Sequence, residues 1–93
     1  MELSEEILDM LPEDRNTSEI LAYGFIIDDV FYTLSVIHGL GQKRYRVDIY
    51  QYRPEYEDLV SLLYLMKIYN TQKAARLYID ILKVESKNGF RLV

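Results

Sequence analysis

Adjacent carboxylates at Asp28 and Asp29, with a third at Asp48, are the side chains whose types and spacing come nearest to a reactive centre. Neighbouring carboxylates can share a cation or a proton. A nuclease-type site would also need a lysine at the end of a neighbouring strand, and Gln51 stands there instead. Asp28-Asp29 therefore reads as a turn. The single His38 precedes Gly39 and has no Ser or Cys nucleophile at a recognisable motif spacing, so it reads as a residue at a loop edge. The chain has no Cys, which removes a thiol nucleophile, a disulfide framework and a thiolate zinc site. GxxxxGK[ST], GxGxxG and HExxH patterns are missing as well. The expectation is a protein that is not an enzyme, with no cofactor and no metal.

A different chemistry is written in the middle of the chain. Phe31, Arg44, Arg46, Tyr50 and Tyr52 would share one face of a sheet, with Lys43 near the hairpin tip, if 30–37 and 44–51 pair as a hairpin. Rings on a sheet can stack unpaired bases while guanidinium groups hold phosphates. The same six residues equally suit packing against a partner protein or a second copy, since Phe31 opposite Tyr50 is an ordinary cross-strand aromatic pair. Asp48 interrupts the stripe.

Charge is distributed unevenly. Net charge is −4, yet residues 1–31 hold nine acids and one base, whereas 32–93 hold six acids and ten bases. Glu2, Glu5, Glu6, Asp9, Glu13, Asp14 and Glu19 could meet a basic groove on another protein or imitate a phosphate backbone. Lys67, Lys73, Arg76, Lys83 and Lys87 lie towards the other end. The acidic total argues against a strongly basic nucleic-acid binder.

These residues need elements to hold them. Leu3–Leu11 reads as a short helix with Ser4 as N-cap and acids in its first turn, followed by a loop over 12–18. Residues 19–38 carry apolar residues at helical spacing, so a mainly α chain with 17–38 helical is the alternative fold. Their Val, Ile, Phe, Tyr and Thr content favours strand. A register test decides. With a tight turn at Leu40-Gly41, opposed numbers sum to 81, and Val30, Tyr32, Leu34 and Val36 gather with Tyr45, Val47 and Ile49 on one face. With a turn at Asp28-Asp29, sums of 57 bring Leu21, Tyr23, Phe25 and Ile27 to that face and send Ala22 and Gly24 to the other. The weak point is Asp28-Asp29, because such turns usually recruit Asn-Gly or Asp-Gly.

Arg53-Pro54 ends the third strand, and a helix over 55–69 is expected from Leu59, Leu62, Leu63 and Met66. Asn70 or Thr71 then starts a second helix to about Lys83, with Ala74, Leu77, Tyr78, Ile81 and Val84 as its apolar stripe. Asn88-Gly89 and Phe90 to Val93 suggest a turn and a short extended tail. The fold expected is α+β: a short N-terminal helix, a three-stranded antiparallel meander, and two C-terminal helices on one sheet face, with the other face left as the working surface. The helix, three strands, helix order and the run Thr71-Gln72-Lys73-Ala74-Ala75-Arg76 resemble double-stranded-RNA-binding domains. The helix expected over 55–69 has no counterpart there, so no family is assigned.

With 93 residues, 49% of them apolar, the chain suits one domain spanning 1–93, and a core this small makes self-association worth considering. Its longest apolar runs, such as Leu62 to Met66, fall far short of the ~20 residues a membrane span needs. The acidic start is unlike a targeting peptide, so the expected compartment is the cytoplasm. The sequence thus points to a small acidic regulatory protein that works through protein–protein contacts as a homodimer, with nucleic-acid binding through the basic-aromatic face as the alternative. Many stand-alone small acidic proteins, including those carried by viruses and plasmids, work by blocking a larger machine, and the same role is expected here by analogy alone.

Overall fold

A long β-ribbon is the backbone of the structure, a computed structural model that describes residues 3–12 and 19–87. Strand β2 (Val30–Gly39) pairs with β3 (Gln42–Arg53) from Val30 opposite Gln51 to Gly39 opposite Gln42. Each of these pairs sums to 81, so the hairpin register is the one that sorts the side chains by polarity. Leu40 and Gly41 both take positive φ, 51° and 77°, which is what a two-residue hairpin turn with the native strand twist demands. The stretch 19–38 is therefore extended, and the mainly α alternative is excluded.

β1 (Glu19–Ile27) lies antiparallel to β2, joined through Asp28-Asp29, with Asp28 at φ 46°. Only the first pair, Ile27 opposite Val30, follows the expected register. Irregularities between Phe25 and Ile27, and again between Ile20 and Ala22, each insert an extra residue. A bulge of this kind reverses which face the following side chains meet. Ala22 and Gly24 thus lie opposite Leu34 and Tyr32, and Phe25 opposite Phe31, the reverse of the sequence expectation. A Cβ on Gly24 would sit 3.3 Å from the Tyr32 ring, which explains the glycine.

The helix expected over 55–69 is not formed. Pro54–Tyr56 is a single 3-10 turn, and Glu57 closes it at φ 47°, a left-handed conformation that stops helical growth. β4 (Asp58–Ser61) and β5 (Lys67–Tyr69) then pair in turn with the same edge of β3, separated by a second 3-10 turn at Leu63–Leu65. Residues that read as an all-round apolar helix are instead a strand lane interrupted once. Tertiary pairing wins because β3 offers a free edge and Leu62 can reach the core, where it is buried. The meander of three strands with two C-terminal helices is thereby corrected to a sheet of four to five antiparallel strands with one long C-terminal helix and one short N-terminal helix.

The short helix α1 (Glu5–Asp9) is capped by Ser4, whose Oγ accepts from the Ile7 N–H at 3.3 Å. The long helix α2 (Gln72–Lys87) starts at Thr71, whose Oγ1 accepts from the Ala74 N–H at 3.1 Å. The helices lie on opposite faces of the sheet. Ala75, Ile79 and Leu82 of α2 pack on Val30, Leu34, Val47 and Ile49, while Leu3, Ile7 and Leu11 pack on Phe31 and Tyr50. The 12–18 loop, apart from Pro12, and the tail beyond Lys87 fall outside the described residues; Glu85 to Lys87 belong to α2.

One contact ties α2 to the interrupted lane: the Tyr78 hydroxyl donates to the Leu65 carbonyl. Burial, reinforced by Tyr69, Glu85 and Tyr64, pushes its pKa up from 10.0 to about 12. Because the folded value lies above the unfolded one, the stabilisation from keeping this proton is complete below pH 10.0 and is lost as pH rises through about 12. Urea unfolding of the parent and Tyr78→Phe between about pH 9 and 12 should show the parent losing more stability than the variant. Equal losses would contradict the assignment.

Candidate functional site

The six residues expected to form one surface are divided by the fold. Phe31 and Tyr50 stack at 5.4 Å between ring centroids and are 0% and 2% exposed, because the apolar edge of the N-terminal segment lies over them. Phe25 meets Phe31 edge-on at 6.2 Å in the same cluster. Tyr52, half-buried, packs at its rim beside Leu59. The face expected to be open is thus half filled. The physical reason is the concentration of rings itself: Phe25, Phe31 and Tyr50 offer more apolar surface than water tolerates, and Leu3, Ile7 and Leu11 supply the matching cover.

The cations part company too. Arg46 is turned inward along the sheet, with Nε donating to Asp48 Oδ2 at 2.8 Å, and the two side chains are 11% and 2% exposed. Residues two apart on a strand share a face, so the sequence spacing Arg46-Val47-Asp48 builds the pair by itself. Asp48 needs this partner because a buried carboxylate is costly unless paired and hydrogen-bonded. Lys43 and Arg44 alone of the six are exposed, on the outer part of the β2–β3 ribbon opposite His38 and Ile37.

The carboxylates weighed for catalysis are also kept apart. Asp28 and Asp29 form the β1–β2 turn, whereas Asp48 sits mid-strand opposite Thr33. Among the described residues no group of three or more His, Asp or Glu is placed to hold a metal ion. No helix there is long and apolar enough to cross a membrane.

The exposed chemistry lies on α2. Its sheet-facing side is Ala75, Ile79, Leu82 and Ser86, not the Ala74, Leu77, Tyr78, Ile81 and Val84 expected from the sequence. Leu77, Ile81 and Val84 point away from the sheet at 59%, 44% and 61% exposure. Tyr78, between the two sides, is half-buried against the lane of β5. Both sets of residues recur at helical spacing, so the sequence announces two apolar stripes and a single sheet can bury only one. Shallow grooves flank the outward one. The first, of about 540 Å³, is lined by Gln72, Lys73, Arg76, Leu77 and Asp80. The second, of about 350 Å³, is lined by Asp80, Ile81, Val84 and Glu85. Other exposed apolar side chains, such as Leu40, Tyr56 and Leu63, stand on separate turns.

Comparison with protein-family models, curated proteins and solved structures returns no match.

The division of the cations is measurable. Arg46→Met leaves Asp48 buried without its guanidinium and should cost about 3 kcal/mol of stability in urea unfolding. Arg44→Met, on the exposed ribbon, should stay within about 0.5 kcal/mol of the parent. Equal effects would mean that Arg46 is a surface residue after all.

Proposed function

We propose that the protein is a small non-catalytic binding or regulatory protein that acts through protein–protein contacts and works as a homodimer. The observation that carries this reading is the outward stripe Leu77, Ile81 and Val84, three large aliphatic side chains in line on one helix, all substantially exposed. Scattered apolar residues on a surface need no explanation, but a line of them rimmed by charge is the usual mark of a contact site. Lys73, Arg76, Asp80 and Glu85 provide that rim. The exposed acids of α1, Glu5, Glu6 and Asp9, offer a second, negative surface to another protein.

Of the residues assigned to nucleic-acid binding, Lys43, Arg44 and Tyr52 retain access to solvent, while the stacking pair Phe31 and Tyr50 is covered. That weakens a single-strand platform, which depends on open ring faces.

Two measurements test the reading. Light scattering across concentrations should show a mass rising to two chains, with Leu77→Glu plus Ile81→Glu holding the protein at one chain without loss of its circular dichroism. A folded parent that remains monomeric at millimolar concentration contradicts the homodimer. Anisotropy titrations of labelled single- and double-stranded DNA and RNA at two salt concentrations should show no binding. Low-salt binding that Arg44→Glu abolishes would replace protein contact with the nucleic-acid reading.

A further inference from the structure

The β2–β3 ribbon outruns its neighbours at one end. Among the described residues, β1 pairs with β2 no further than Glu19 opposite Val36, and β5 pairs with β3 no nearer the turn than Tyr69 opposite Tyr45. Residues 37–44 are paired there only with each other, through Ile37 opposite Arg44, His38 opposite Lys43 and Gly39 opposite Gln42. Three rungs at ~3.4 Å each make an arm that projects by roughly 10 Å. Its apex is Leu40, wholly exposed and at φ 51°. A branched aliphatic side chain is costly at a left-handed turn position, where Asn, Asp or Gly is the ordinary choice, so folding gives no reason for a leucine there. Behind the apex Lys43 and Arg44 are exposed and enter no ion pair among the described residues. Successive residues of a strand point to opposite faces, so the arm carries one cation on each.

Charge is sorted along the ribbon. From Val30 to Val47 the chain has Lys43, Arg44 and Arg46 and no acid, and from Leu59 to Ile79 it has Lys67, Lys73 and Arg76 and again no acid. Only Asn70 and Thr71 separate Tyr69 from α2, so the first turn of α2, with Lys73 exposed, lies at the root of the arm. Glu19, beside Val36, is the strand carboxylate at this end among the described residues. Asp28, Asp29, Glu55, Glu57 and Asp58 gather at the other end of the ribbon, around Val30 and Arg53. The 12 residues of β3 set the two ends about 35 Å apart.

We propose that the arm meets an anionic lipid surface end-on, with Leu40 entering the headgroup layer and Lys43, Arg44 and Lys73 facing lipid phosphates behind it. A bilayer surface offers acyl chains beneath and phosphates above, which is the order of apolar and cationic groups along the arm. A nucleic acid presents its phosphates first. An apolar apex enters it only by parting stacked bases, and two cations do not offset that cost. The acids at the far end lie several screening lengths from the lipid. This surface is distinct from the outward stripe of α2, and the two readings stand independently.

The test uses sucrose-loaded vesicles of phosphatidylcholine alone, or with about a third of phosphatidylglycerol. At low salt the protein should sediment with the anionic vesicles and not with the neutral ones, and high salt should release it. Lys43→Glu plus Arg44→Glu should weaken this binding by at least ~10-fold and Leu40→Ser by ~3-fold or more, each variant keeping the circular dichroism of the parent. Lys87→Glu, at the far end of α2, should stay within ~2-fold of the parent. Because the chain has no Cys, Leu40→Cys carries a single polarity-sensitive dye. Its emission should shift to the blue on anionic vesicles, whereas the same dye on Glu55→Cys should not change. Failure to sediment with anionic vesicles at low salt overturns the proposal, as does binding that ignores the arm variants or leaves the dye at position 40 in water. Arm-dependent binding of labelled duplex DNA or RNA without vesicle binding overturns it too, and assigns the cations to nucleic acid.

Discussion

A helix with apolar residues on two sides can give only one of them to a sheet, and this constraint shapes the whole outer surface of the protein. Ala75, Ile79 and Leu82 take the core, over Val30, Leu34, Val47 and Ile49. Leu77, Ile81 and Val84 are left facing water as the consequence. Fully burying a large aliphatic side chain is worth roughly 1.5 to 3 kcal/mol, and these three, about half exposed, leave part of that unused.

On the side of α1 the described residues cover the aromatic part of the sheet. A five-residue helix with flanking Leu3 and Leu11 closes over Phe31 and Tyr50, and the Arg46–Asp48 pair occupies the same face further along β3. The sheet is therefore a middle layer, with a long helix on one side and a short segment on the other. Chemistry that would need an open sheet surface is displaced to the edges, to the exposed Lys43 and Arg44 of the β2–β3 ribbon and to the back of α2. Binding through an added layer of protein suits this architecture better than binding on the sheet itself.

Much of the fold is legible in the amino-acid order, and its gaps have physical causes. The Val30–Gln51 register could be read because alternation over ten residues has one solution that separates apolar from polar, and a slip by one would mix them. Ser4, Thr71 and Pro54 marked boundaries through local hydrogen bonding and ring geometry, which distant contacts do not change. The bulges in β1 were invisible, since nothing in Ile20 to Ile27 distinguishes a flush pair from an inserted residue. Residues 55–69 misled because a short apolar run has no period that separates a strand from a buried helix; the free edge of β3 settled the matter. The candidate surface is present in the sequence as one of the two stripes of α2, and spacing alone does not say which of them a sheet takes. Parity puts Phe31 and Tyr50 on the face away from α2, and the N-terminal cover that buries them is something parity does not report.

The central claim, that a second copy covers the outward face of α2, is tested most directly by isotope-filtered nuclear Overhauser spectroscopy on an equal mixture of ¹³C-labelled and unlabelled chains. The account predicts intermolecular contacts among the methyl groups of Leu77, Ile81 and Val84. Intermolecular contacts confined to Leu40, to the β1 edge or to the sheet, or none at all, would contradict it.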